Sequence, residues 1–127
     1  MTDSRNLPLV LAITGATGVI YGVEMLRILR ELGQETHLIL SEAAGMNLAI
    51  ETEYTIAEVK ALASVVYSNK DVGAAVASGS FRTRGMIVAP CSVRTMSEVA
   101  TGVTSSLMTR AADVTLKERR PLVLMVR

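Results

Sequence analysis

A chain of 127 residues, 50% hydrophobic and 20% charged, fits one folded domain and excludes disorder over most of its length. Thirteen Lys and Arg against twelve Asp and Glu leave a formal charge of +1, so bulk charge gives no case for a nucleic-acid partner or an anionic membrane. No apolar run approaches the roughly 20 residues of a membrane-spanning helix, the polar start Met1–Asn6 lacks a signal-like segment, and the single cysteine cannot build a disulfide framework; a soluble protein of the reducing cytoplasm is expected.

Pro8–Thr14 is a short, nearly all-apolar strand, and Gly15-Ala16-Thr17-Gly18 breaks it. From Val19 to Leu32 the polar residues Glu24, Arg27 and Glu31 recur at helical spacing opposite Val19, Val23, Leu26 and Leu29, which predicts an amphipathic helix closed by Gly33. His37–Leu40 is a second strand, and Ser41 stands where it would cap a helix over Ala43–Ile50. Thr55 and Glu58 have the capping-box spacing of a third helix running to about Ala63. Val72–Ser80, rich in Gly, Ala and Ser, reads as irregular and mobile. Gly85–Ala89 is a strand stopped by Pro90, Ser92 begins a helical stretch, Ser105 or Ser106 begins another to about Arg119, and Leu122–Val126 is a last strand.

Near-continuous apolar strands alternating with helices predict the α/β class: a Rossmann-like, three-layer parallel sheet with helices on both faces, one domain over residues 1–127. The stop at Arg127, directly after a strand, suggests a fragment, because such a strand is normally followed by a covering helix. A small hydrophobic subunit with few aromatics also has more apolar surface than one thin layer hides, which predicts a homo-oligomer.

Ligands of open parallel sheets bind beyond the carboxyl ends of the strands. Those ends are Thr14-Gly15-Ala16-Thr17-Gly18, Ser41, Pro90-Cys91-Ser92-Val93-Arg94-Thr95 and Arg127. Three of them put a small hydroxyl residue at a helix start, where free N–H groups favour an anion, and the last supplies a guanidinium suited to phosphate. Taken singly, Ser41 and Ser92 read as helix caps, Gly15 and Gly18 as a tight turn, and Arg127 as a surface residue; their coincidence at one edge favours a phosphate-bearing ligand. His37 reads as structural and Cys91 as small apolar packing, and one His with one Cys cannot make a zinc site. Lys117-Glu118-Arg119-Arg120 reads equally as a cationic helix end or as part of a site.

Gly15-Ala16-Thr17-Gly18 with Ile20-Tyr21-Gly22, then Ser78-Gly79-Ser80-Phe81, Pro90-Cys91-Ser92, Arg110-Ala111-Ala112-Asp113 and Lys117–Leu124, in this order, resemble the flavin prenyltransferases of the UbiX/Pad1 group, once described as aromatic acid decarboxylases. The resemblance runs from about Leu9 to Arg127. It implies a flavodoxin-like subunit that binds FMN, needs no metal, and joins the dimethylallyl group of dimethylallyl monophosphate to flavin N5 and C6 for a partner decarboxylase of the UbiD type. Carried over by motif, Gly15, Ala16 and Thr17 hold the flavin beside Ser41 and the turn Ser92, Val93, Arg94, Thr95, with Arg127 near phosphate. Lys117 and, from a neighbouring subunit, Glu51 lie at the reaction centre, Thr17 replaces the family's usual Ser there, and the family's large symmetric assemblies make a dodecamer one expected form. The family continues past Arg127 with further prenyl-phosphate contacts, so these 127 residues are expected to keep FMN binding and to transfer prenyl weakly or not at all. The alternatives are an FMN-binding accessory or carrier subunit of an aromatic acid decarboxylase, and a flavin-dependent cysteine decarboxylase of the same fold, for which His37 is poorly placed.

Overall fold

Strands β1 (Leu9–Ile13), β2 (Thr36–Leu40) and β4 (Gly85–Cys91) are apolar nearly throughout because helices bury both of their faces. β3 (Val65–Ser68) and β5 (Leu122–Val126) are half-exposed edges of the same five-stranded sheet, which has the order β3-β2-β1-β4-β5 with every pair parallel. The computed structural model describes residues 6–127, so residues 1–5 of the polar start lie outside the described residues.

Successive side chains of a strand point to opposite faces, and β1 shows what this does to the core. Val10 and Ala12 pack with Met86, Val88, Leu107 and Ala111 on one face. Leu11 and Ile13 pack with Val19, Val23, Leu26 and Leu48 on the other. The helices behind these contacts are α1 (Val19–Glu31), α2 (Glu42–Glu51) and α3 (Ile56–Ala61) on one side, and α4 (Val93–Thr101) and α5 (Leu107–Lys117) on the other. The expected three-layer α/β architecture is the one observed.

Local chemistry sets the helix ends. Gly18 holds φ 88° at the start of α1, a left-handed conformation that a β-carbon disfavours. Ser41 and Ser92 cap α2 and α4 by accepting from Ala44 and Thr95 N–H, Thr55 and Glu58 form the capping box of α3, and Ser106, rather than Ser105, caps α5.

Three segments differ from the sequence reading. Val65–Ser68 is a strand: too short to show a period, it is fixed by pairing with β2. Val72–Ser80 contains a 3-10 turn, Ala75–Ala77, whose Val76 is buried in the core, and the following loop is gripped by Arg120, which donates to Gly79 and Phe81 carbonyls. β4 continues through Pro90 to Cys91, where the register with β5 shifts between Val88 and Cys91 and the missing proline N–H breaks no regular ladder.

β1 leads to β2 and β3 on one side, and the chain then returns to place β4 and β5 on the other, so the strand order reverses between β1 and β4. Helix α1 lies tightly over this junction. A Cβ at Gly22 would overlap the Ala89 carbonyl oxygen and come within 2.8 Å of Ile13 Cγ1. Gly22→Ala is therefore expected to cost about 1–3 kcal/mol of folding stability. The check is a lower denaturant midpoint at unchanged slope; an unchanged midpoint would mean that α1 lifts off the sheet freely.

Candidate functional site

At the carboxyl end of the β1–β4 junction a cleft of ≈ 480 Å³ opens, lined among others by Thr14, Gly15, Ser41, Asn69, Ser92 and Thr95, with Ala43 and Met108 as apolar wall. Strand ends deliver the polar groups. The Thr14 hydroxyl donates to Pro90 O (2.7 Å) and accepts from Ser92 N–H (3.1 Å), and Ser41 N–H donates to Ile13 O (3.2 Å), so the ends of β1, β2 and β4 are tied at one level. Ser92 Oγ donates to Thr95 Oγ1 (2.9 Å) while accepting from Thr95 N–H (3.1 Å). Val93 and Arg94, exposed in the first turn of α4, have N–H groups that no helix carbonyl can reach, and the Arg94 guanidinium stands in solvent beside them. Glu98 on the same wall accepts from Ser105 Oγ (2.8 Å).

The glycine turn has partners that the sequence did not show. Glu51 Oε1 accepts from Gly18 N–H (2.9 Å) and Val19 N–H (3.3 Å), so a carboxylate of the same chain fills the anion position at the start of α1. One helical turn earlier on α2, Asn47 Nδ2 donates to Gly15 O (2.8 Å). Together the two side chains clamp the turn. Gly15 itself lies against α2, where a Cβ would come within 2.5 Å of Ala43 Cβ. Ala16 is half-buried and Thr17 exposed at the rim.

Three of the expected residues lie as follows. Glu51 reaches the glycine turn of its own chain because α2 packs beside α1. α5 begins at the cleft with Met108 and runs away from it for about 15 Å, with Lys117 as its exposed last residue. Arg127 is at the expected edge without lining the cleft: its main-chain N–H donates to Cys91 O (3.0 Å), and its guanidinium lies over the Tyr21 ring, 5.5 Å from the centroid, beside Gly18.

Other candidates are structural. His37 is 5% exposed at the start of β2, the far end of the sheet, with Nδ1 at 2.9 Å from Tyr67 Oη and Nε2 at 2.7 Å from Glu35. Burial also pushes the Tyr67 hydroxyl's pKa up. Cys91 is fully buried, and burial pushes its thiol up, which keeps it protonated and unreactive at neutral pH. Labelling by iodoacetamide is expected only after denaturation; fast labelling of the native protein would contradict this burial. No group of three or more His, Cys, Asp or Glu among the described residues could hold a metal, and none of their helices is long and apolar enough to cross a membrane.

A larger cavity of ≈ 830 Å³ lies on the other side of Ser41 and Asn69, walled by Leu40, Met46, Ala49, Ile56 and Val66. It is mainly apolar. The convergence of hydroxyls and free N–H groups is in the smaller cleft, which is the one at the reversal of strand order.

Residues 1–126 match the Flavoprotein family. The chain belongs to that family. It is 51% identical over 120 residues to flavin prenyltransferase UbiX of Escherichia coli strain K12, covering 94% of this chain and 64% of the relative. The flavoprotein chain thus spans a little under two thirds of the length of this relative. Among solved structures it is similar to AnUbiX (PadA1) in complex with FMN and dimethylallyl pyrophosphate (47% identity, TM-score 0.94, covering 97% of this chain and 65% of that one). It is also similar to a dodecameric FMN-dependent Ubix-like decarboxylase from Escherichia coli O157:H7 (46% identity, TM-score 0.93, 95% and 67% covered). These likenesses bear out the family resemblance and the flavodoxin-like fold.

Sequence reasoning missed Asn69 in this flavoprotein's cleft and Asn47 at its glycine turn. Asn69 caps α5 from outside: its carbonyl and Oδ1 accept from Leu107 and Met108 N–H. The signal was available in Ser68-Asn69-Lys70-Asp71, a turn-rich run after the β-branched Val65-Val66, but it needed β3 to be recognised first. Asn47 carries no local signal, since only packing of α2 against the glycine turn gives it a role.

Proposed function

We propose that this chain carries the FMN site of a flavin prenyltransferase, with the flavin phosphate at the start of α4. The observation that carries this is the cleft at the strand reversal, where Ser41, Ser92, Thr95 and first-turn N–H groups meet an apolar wall, in a chain whose FMN-bound relative has the same fold. The donor set fits FMN: the α4 N-terminus and Arg94 suit a phosphate, Ala43 and Met108 suit a ring edge, and Gly15 lines the cleft, with Ala16 and Thr17 following it at the rim. When bound and reduced, FMN supplies the electron-rich N5 and C6 that take the dimethylallyl group of dimethylallyl monophosphate.

The chain's own residues then have defined tasks. Glu51 and Asn47 hold the glycine turn rigid, Thr17 presents a hydroxyl at its rim, and Arg127, held over Tyr21, keeps a cation beside it. A leaving phosphate needs further positive charge. In this reading Lys117 supplies it from a second copy, which suits its place at the end of α5 away from the cleft of its own chain. This makes the active unit a homo-oligomer, in line with the dodecameric relative. Prenyl-FMN would pass to a UbiD-type decarboxylase.

The test is anaerobic incubation of the protein with reduced FMN and dimethylallyl monophosphate, with the pyrophosphate in parallel, followed by mass analysis of the flavin. A product heavier by one dimethylallyl group supports the reading. Tight FMN binding without product would leave the carrier function instead. The cysteine-decarboxylase alternative finds no support in His37, which is buried at the amino end of β2, away from the cleft.

A further inference from the structure

We infer that Thr14 is a positioning residue that sets the spacing of the two loops of the flavin site, an inference that rests on the FMN reading above. Thr14 is 2% exposed and follows the last residue of β1. A hydroxyl has one proton to give and two lone pairs, and this one uses all three. It donates to Pro90 O at 2.7 Å, accepts from Ser92 N–H at 3.1 Å, and accepts more weakly from Ala16 N–H at 3.4 Å. The main-chain N–H of Thr14 donates to the same Pro90 carbonyl at 3.3 Å. One oxygen therefore joins the glycine turn Gly15–Thr17 to the Ser92–Thr95 turn across the strand reversal.

The regular ladder does not supply this link. The β1–β4 register ends at Ala12 opposite Val88, and Pro90 has no N–H to continue it. Beyond that point the separation of the loops depends on the Thr14 side chain and on its own N–H. The flavin would touch both loops, so an error in their spacing is an error in the site itself. Thr14 touches neither ring nor phosphate in this scheme; it acts through Ala16 and Ser92.

The test compares Thr14→Val, which keeps the shape and removes the hydroxyl, with Thr14→Ser, which keeps the hydroxyl. FMN affinity is read by quenching of flavin fluorescence, and amide hydrogen exchange at Ser92 and Ala16 is read without FMN. Thr14→Val is expected to weaken FMN binding by about tenfold or more, because it takes the shared acceptor from the Ser92 and Ala16 N–H groups, one in each loop. It should also speed exchange at Ser92, while Thr14→Ser stays within about threefold of the parent in affinity. Thr14→Val with parental FMN affinity, or with unchanged Ser92 exchange, would overturn the inference. If the parent binds no FMN, the flavin reading fails and the exchange measurement alone decides whether Thr14 spaces the loops. Should Thr14→Val not fold, Thr14→Cys against Thr14→Ser makes the same comparison, since a thiol forms weaker bonds; equal FMN affinity and equal exchange in that pair would overturn the inference.

Discussion

Glu51→Ala is expected to lower prenyl transfer by about a hundredfold or more while leaving a folded protein. The carboxylate accepts from Gly18 and Val19 N–H, and its loss frees the positive end of α1 and loosens the glycine turn. A displacement of about 1 Å at a reacting centre costs on the order of 10²-fold in rate. The stability cost is smaller, about 1 kcal/mol, as for other helix N-terminal acceptors. Glu51→Gln separates the two contributions: its amide oxygen still accepts from Gly18, so stability should be nearly parental, and the rate it loses reports on charge. Parental turnover in Glu51→Ala would remove this residue from the site.

Lys117→Ala is expected to abolish transfer without changing FMN affinity, because Lys117 lies at the far end of α5 from the cleft of its own chain. Mixing this variant with Glu51→Ala, under conditions that let subunits exchange, should restore part of the activity. In the mixed assembly some sites receive an intact Glu51 from one copy and an intact Lys117 from another. No restoration despite demonstrated exchange would mean that the site is not shared between copies. Weakened FMN binding in Lys117→Ala would place that residue at the flavin instead.

The elements that positioned the site were legible where periodicity or a cap carried them. Val19, Val23, Leu26 and Leu29 marked α1, and Ser41, Ser92 and the Thr55–Glu58 pair marked helix starts that the structure confirms in their hydrogen bonds. β3 was not legible, since Val65–Ser68 has only four residues and owes its state to β2. The edge on which the chemistry sits followed from strand ends alone. Partners across the chain did not. The pairing of Glu51 with Gly18 spans 33 residues and that of Thr14 with Ser92 spans 78, and no local pattern encodes either. Of the three helix starts at which strand ends offered an anion position, the one at α1 is taken by a carboxylate through tertiary packing.

The most direct test is a crystal structure of the protein grown with FMN. The flavin phosphate is predicted within hydrogen-bond reach of Ser92 Oγ and the Val93 and Arg94 N–H groups, with the Glu51 carboxylate still seated on Gly18. A phosphate seated on the α1 N-terminus in place of Glu51, or a flavin in the apolar cavity beside Met46 and Ile56, would contradict the account.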